Sequence, residues 1–452
     1  MIIAYKEHSQ FIMILVIMYV LGVWGGPLIY PVYPAFIFLF GIRQRYFEMF
    51  IVAVWTLMLA DYVPVDGAPY DDLQFAKDLK PLVPLALFFF FIRDRFSFKP
   101  YPLVFLYFIP FIIIAIIGLT DSINLQVGIQ KSISFILMYL TVPFFVVYLH
   151  RKDGERFWKA LITFIIGMLT IGIVLRFVAP DIAMKVGRFK GVLGNPNGLG
   201  VFLNLTFILW MIVRKFKMAH FTKKENAYIL FVLLLSVIWT GSRNGMMSMF
   251  LFYVMFKLIQ INWFFALVVL GAILTFNDQL FDVFIGVISF FGLEEFFRVD
   301  SIEEGSGRIV AWQFAWLKIQ DFFFVGGGFG HDEHIMRPNY YWLSRLGHQG
   351  GVHNSYLSLW MDTGILGILA YFGAIIAIIG RVMRDNYIPI AIFTSLAFNI
   401  YFESWLVASL NPFTIIYLTI ITILLSNLKG EDYIDDQLET QYDQKTEQAP
   451  AL

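Results

Sequence analysis

The sequence predicts an all-α fold: a polytopic membrane helix bundle of about 12–14 transmembrane helices with one large, partly helical loop on one face. Three observations carry this expectation. Of 452 residues, 59% are hydrophobic and only 15% charged, where a soluble globular chain carries about 25% charged residues. The mean hydropathy is +0.72. The apolar residues also fall into runs approaching the span of a bilayer, about 20 residues or somewhat fewer with snorkelling flanks. The same composition excludes other classes. Lys+Arg at 33 balances Asp+Glu at 33, which rules out the basic face of a nucleic-acid binder. Zero cysteines rule out disulfides, thiolate metal sites and a cysteine nucleophile.

The apolar runs lie at 11–24, 28–40, 46–60, 82–92, 103–119, 132–149, 157–177, 199–213, 227–240, 245–256, 261–276, 355–379, 387–402 and 412–425. The first two flank Gly25-Gly26-Pro27 and read either as two spans or as one broken helix. No small-residue cleavage site follows the first run, so it reads as a retained span. If Arg43 and Arg45 face the cytoplasm, the connections on their side are strongly basic, with Arg151, Lys152, Arg214, Lys215, Lys223 and Lys224 among them, whereas the opposite connections are mostly acidic. The positive-inside rule then predicts a multi-pass membrane protein with a cytoplasmic C-terminus. Four regions follow: N-terminal transmembrane helices over 1–276, a large periplasmic or extracellular loop over 277–352, C-terminal transmembrane helices over 353–428, and an acidic cytoplasmic tail over 429–452, expected to be disordered.

The loop at 277–352 is far longer than the usual connection of about 4–6 residues. It holds Trp312, Trp316, Trp342, a glycine run and three of the seven histidines, and His353 closes it. That composition favours function over disorder. Residues 281–291 are apolar enough to lie in the membrane interface, and 309–322 read as an amphipathic helix.

Several positions in or near this loop carry chemistry. In Gly305-Ser306-Gly307-Arg308, Ser306 is a plausible N-cap that puts Arg308 in the first helical turn, where partial positive charge disfavours a cation unless an anion sits between them. A phosphate resolves that conflict, as does a salt bridge to Glu303 or Glu304. Thr240-Gly241-Ser242-Arg243-Asn244-Gly245 is a tight turn with a second arginine at a helix start, suited to a lipid headgroup or, with Arg308, to a diphosphate clamp. His353-Asn354-Ser355-Tyr356-Leu357 opens a long span. A helix start favours the neutral imidazole, which suits a general base, while the structural alternative is a helix cap. Asp362 falls inside that span and is expected to pair with protein or water. The run Val325-Gly326-Gly327-Gly328-Phe329-Gly330 lacks the Lys-Ser/Thr of a nucleotide P-loop and reads as a tight turn with close backbone approach. His331, Asp332, Glu333 and His334 after it could supply metal ligands, but read first as a polar loop. Asn195 and Asn197 of Gly194-Asn195-Pro196-Asn197-Gly198 either contact sugar or cap a helix.

Taken together, Gly191-Val192-Leu193-Gly194-Asn195-Pro196-Asn197, Gly241-Ser242-Arg243-Asn244-Gly245, Gly307-Arg308 with Trp312, the glycine run to Gly330, and His353-Asn354-Ser355-Tyr356-Leu357 followed by Gly364-Ile365-Leu366-Gly367 resemble the O-antigen ligase and O-antigen polymerase superfamily of bacterial membrane glycosyltransferases. The resemblance covers roughly 188–373. It implies a metal-independent, inverting transfer, with no cofactor, of a glycan from undecaprenyl diphosphate to an acceptor hydroxyl on the outer face. By that resemblance Arg243 and Arg308 hold the diphosphate and His353 activates the acceptor, with Asn354, Trp312, Asn195 and Asn197 as further substrate contacts. Partners so implied are a lipid-linked glycan donor, a lipid A-core or growing-glycan acceptor and the bilayer itself, with no nucleic acid; the oligomeric state stays open.

The sequence departs from the family pattern in carrying Phe324-Val325 before the glycine run, where a proline is frequent. The number of apolar runs leans toward a polymerase, and the single large loop ending in the histidine motif leans toward a ligase; the ligase reading is taken first. Two other classes compete. A metal-dependent polyprenyl-phosphate sugar transferase would use Asp66, Asp71 and Asp72, and a lipid-linked glycan transporter would show internal repeats and midplane polar residues.

Overall fold

The computed structural model describes residues 31–61, 80–94, 103–275, 308–348 and 350–429, with isolated positions around 11–17 and 285–292. The Gly25-Gly26-Pro27 turn, Asp66, Asp71 and Asp72, most of 277–307 with Ser306, Glu303 and Glu304, and the acidic tail from residue 430 lie outside the described residues.

The chain is an all-α bundle. Its first half runs through α1 (Val32–Ile42), α2 (Tyr46–Asp61), α3 (Leu82–Asp94), α4 (Val104–Ile117), α5 (Leu125–Asp153), α6 (Glu155–Val178) and a single turn, α7 (Pro180–Ala183). A two-residue hairpin follows, β1 (Met184–Lys185) against β2 (Arg188–Phe189), antiparallel, with Lys185 opposite Arg188. Then come α8 (Pro196–Lys215), α9 (Lys223–Thr240), α10 (Arg243–Ile261), α11 (Trp263–Thr275), α12 (Arg308–Ile319), α13 (His331–Arg345), α14 (Ser355–Val382), α15 (Ile388–Phe402) and α16 (Pro412–Leu425). Among the described residues, six helices are long and apolar enough to cross a membrane: α4 with its 3-10 extension, α5, α6, α8, α10 and α14. Shorter apolar helices fill in around them. Every apolar run from 28–40 onward coincides with a described helix.

Side chains outside the helix, not apolar length alone, set where these helices begin. Asn195, Ser242, Asn354 and Asn411 each accept a backbone N–H from the first turn of α8, α10, α14 and α16. Pro196 and Pro412 follow directly, preset for the first helical position and lacking the N–H that would otherwise need a partner. At the other end of the bundle, α9 opens with a reciprocal capping box between Thr222 and Glu225.

The motif glycines are explained by packing. Gly241 ends α9 in the left-handed region (φ +56°). Gly245 lies against Gly200, where an added Cβ would fall 2.7 Å from the Gly200 Cα, so α8 and α10 cross backbone to backbone. Around that crossing, polar side chains join α8, α10 and α15. Ser395 donates to the Ser248 carbonyl (2.8 Å) and Asn399 to the Ser248 hydroxyl (3.1 Å), while Asn244 donates to the Asn399 carbonyl (3.0 Å) and Trp405 to the Asn399 side chain (2.8 Å). Each bond answers a polar group that hydrocarbon could not satisfy.

α14 is broken at Gly364 (φ +64°, ψ −177°). The backbone groups released there are met by the segment before the glycine run. Ile365 N–H donates to the Phe323 carbonyl (2.9 Å), Leu366 N–H to that of Phe324 (3.2 Å), and Gly327 N–H to that of Met361 (3.0 Å). Asp362, just before the break, accepts from the N–H groups of Gly330 (3.0 Å) and Asp332 (2.9 Å), and so caps α13 from a different helix. Residues 331–334, expected as a polar loop, therefore form the first turn of a fifteen-residue helix. The signal for that helix is Asp362, thirty residues away and invisible to a local pattern. α12, α13 and the start of α14 share a small apolar core of Ala311, Ala315, Ile319, Met336, Leu343, Val352 and Met361.

A Cβ at residue 364 would fall 2.2 Å from the Phe324 carbonyl carbon, in a backbone region reserved for glycine. Gly364→Ala is expected to cost about 3 kcal/mol or more. Thermal unfolding of detergent-solubilised protein measures this, and a midpoint within about 2 °C of the wild type would show that the break is dispensable.

Candidate active site

The helix start at Asn195, the α9 end at Gly241, the hairpin, α13, the turn before α14 and the segment after α15 converge on one cavity of about 1190 Å³. Its lining mixes apolar side chains with charged ones, Lys185, Arg188 and Arg337 beside Asp332, Glu333 and Glu403, and includes His353.

His353 precedes the Asn354 cap with φ +50°, a left-handed kink that turns its ring away from the helix. Its Nδ1 lies 3.4 Å from Glu403 Oε2, and the other oxygen of that carboxylate accepts from an Arg308 guanidinium nitrogen at 2.9 Å. A carboxylate only accepts, so in a neutral imidazole this contact favours the proton on Nδ1 and the lone pair on Nε2. On the Nε2 side stands Gly350 (φ +110°), where a Cβ would come within 2.9 Å of that nitrogen. His348 pins this turn by bonding the carbonyls of Gly350 (3.2 Å) and Gly351 (2.8 Å). Glu403 is itself held in place. Its carbonyl accepts from the Ser355 hydroxyl (2.6 Å), and the Ser404 hydroxyl accepts from the Asn354 N–H (3.0 Å).

Across the cavity, Arg188 donates from Nε to the Thr240 carbonyl (2.8 Å) and from a terminal nitrogen to Asn197 Oδ1 (2.8 Å). The Trp239 ring nearby carries the Arg176 guanidinium at 3.8 Å from its centroid. On the α13 side, Lys131 of α5 pairs with Glu333 at 3.0 Å. Burial pushes the Asp332 carboxyl above its usual range, with the Lys131 charge pulling the other way.

The site residues expected from sequence are placed as follows. His353, Asn195 and Asn197 line the cavity directly, and Arg308 joins it through Glu403. Arg243 opens α10, half-buried, two residues past the cavity-lining Gly241. Trp312 stands behind the histidine: its Nε1 donates to the Val352 carbonyl (3.0 Å) and its ring meets Tyr401 edge-on at 5.1 Å. Asn354 spends its carbonyl oxygen on Leu357 N–H, and Asn195 spends its own on Gly198 N–H. Sequence reasoning did not single out Arg188, Arg337 or Glu403. Arg188 sits beside Gly187 at a turn just before the asparagine motif, a signal that was legible; Glu403 lies at the end of an apolar run with no motif around it.

Residues 228–372 match the family model described as O-antigen ligase. The chain carries an O-antigen ligase domain. The domain runs from within α9 to the middle of α14 and contains Arg243, Arg308, Trp312, His353 and Asn354. Asn195, Asn197, Arg188 and Glu403 enter the same cavity from outside the matched stretch. An O-antigen ligase domain in a helical membrane bundle supports the resemblance to the O-antigen ligase and polymerase superfamily and implies a membrane glycosyltransferase-like enzyme of ligase or polymerase type. No curated protein matches the chain.

At the edge of the site, the His331 ring is buried against Phe322, their centroids 4.4 Å apart, and neither of its nitrogens has a hydrogen-bond partner among the described residues. Burial, and secondarily His334, push its pKa down to about 4. Between pH 6.5 and about 4 the unfolded chain therefore takes up a proton at this position that the folded chain refuses, and stability falls as pH falls. His331→Phe keeps the ring contact and removes the proton site. The acid-side decline in unfolding temperature should be shallower in the variant, by an amount on the order of 1–3 kcal/mol across that window. Identical pH slopes for the two proteins would refute it.

Proposed function

We propose that the protein transfers a glycan from undecaprenyl diphosphate to an acceptor hydroxyl on the outer face of the membrane, as an O-antigen ligase acting on lipid A-core. The observation that carries this reading is His353, inside the O-antigen ligase domain, with its Nε2 beside Gly350 on a large cavity that Arg188 and Arg337 line and that Arg308 reaches through Glu403. The cavity volume of about 1190 Å³ suits a diphosphate-linked sugar together with an acceptor sugar.

In this proposal the acceptor hydroxyl gives its proton to His353 Nε2 while its oxygen attacks the anomeric carbon from the face opposite the diphosphate, so the centre inverts. Charge develops on the departing diphosphate, and Arg308 and Arg243 offset it. Arg188, held by Asn197 and the Thr240 carbonyl, is a third cation within reach of the same anion. The transfer is metal-independent in this reading. The large loop and the site face the periplasm or the cell exterior, and the C-terminus the cytoplasm. The four regions retain the boundaries 1–276, 277–352, 353–428 and 429–452. A polymerase shares every chemical step and differs only in the acceptor.

A reconstituted assay with a lipid-diphosphate-linked glycan, run in chelator with and without lipid A-core, tests the proposal. Product on the core supports the ligase, and longer lipid-linked chains without it support the polymerase. His353→Ala should lower turnover by about 10²-fold or more with donor binding intact, while Arg308→Ala and Arg243→Ala should raise the donor KM by about tenfold. Normal turnover by His353→Ala removes the base. Activity lost to chelator moves the chemistry to the acidic segment holding Asp66, Asp71 and Asp72.

A further inference from the structure

Glu403 lies beyond the O-antigen ligase domain, yet its carboxylate touches both Arg308 and His353. The two contacts use different oxygens, 2.9 Å to the arginine and 3.4 Å to the imidazole, and the side chain is only 11% exposed. Its backbone is clamped to the start of α14 through Ser355. An acidic group so placed is costly for a site that must receive a diphosphate, since its charge repels the ligand and occupies the cation meant to bind it. A residue of that cost requires a compensating gain at another step of the reaction.

We propose that Glu403 is the positioning residue of this site, coupling donor binding at Arg308 to proton acceptance at His353. The inference rests on the glycan-transfer reading given above. A diphosphate that engages Arg308 draws the guanidinium off Glu403, and the carboxylate is then left with His353 alone. When the acceptor proton reaches Nε2, the new bond to the anomeric carbon forms, the bond to the diphosphate breaks, and the diphosphate leaves with the electron pair. The imidazolium so formed carries its Nδ1–H against a full carboxylate charge, which stabilises it and fixes the ring. The base is thereby strengthened only when donor is bound, which discourages proton uptake in its absence.

The coupling makes a prediction that a merely structural role does not. Glu403→Gln keeps the shape and removes the charge, so it should bind undecaprenyl diphosphate more tightly than wild type, about threefold or more, while kcat falls by about 10²-fold. Glu403→Asp restores the charge on a shorter arm and should recover part of kcat and return binding toward wild type. Undecaprenyl diphosphate binding is measured on purified protein by calorimetry, kcat with saturating donor and acceptor, and thermal midpoints on all variants. Opposite movement of kcat and affinity supports the proposal. Unchanged kcat in Glu403→Gln overturns it, and so does loss of kcat with affinity unchanged or weakened; if Glu403→Gln does not fold, the Asp variant decides, with normal kcat or a loss without tighter binding counting against it. A wild-type protein that neither binds the lipid diphosphate nor transfers from it overturns the glycan-transfer reading itself, and the coupling falls with it.

Discussion

The break in α14 is the constraint on which the rest of this site depends. A helix interrupted inside a membrane bundle releases N–H and carbonyl groups that lipid cannot satisfy, so some other backbone must enter. Here the segment at 322–328 supplies it, and Gly326, Gly328 and Gly364 take the left-handed conformations that let two main chains run within bonding distance. With that segment fixed, Gly330 and Asp332 fall onto the Asp362 carboxylate and α13 is launched across the mouth of the cavity. The catalytic face is thus built from what would otherwise be a defect in a spanning helix.

The charged groups around the cavity follow a second rule, that acids there are matched to named cations. Glu333 takes Lys131 and Glu403 takes Arg308, both across elements that are remote in sequence. Partly buried pairs of this kind add little to stability and much to geometry, because moving one partner strands the other. Arg188 is held in part by a neutral amide oxygen and a backbone carbonyl.

Much of this was legible in the sequence, because composition and periodicity report the solvent and the bilayer is an insistent one. The apolar runs from α1 to α16 needed nothing more than hydropathy. The motif residues were legible for a different reason: Asn195, Ser242 and His353-Asn354 mark helix starts, where residue type is dictated locally. What stayed hidden depends on distance along the chain. Arg308 finds a partner in Glu403, ninety-five residues along the chain, and α13 owes its first turn to Asp362. Asn195 read either as a sugar contact or as a helix cap, and in the structure its carbonyl oxygen and that of Asn354 each cap a helix, while the Asn197 oxygen holds Arg188.

The contact between Gly200 and Gly245 has a consequence for how this protein can change. Where two helices are separated by side chains, each exchange of a leucine for a valine alters their spacing, and whatever they carry at their ends drifts with it. α8 and α10 have no such layer at their crossing, so the interval between the turn holding Asn195 and Asn197 and the turn holding Arg243 is set by main-chain dimensions. It works as a ruler with no adjustable part. The apolar interior is therefore free to wander in sequence over long times while the distance across the site holds still.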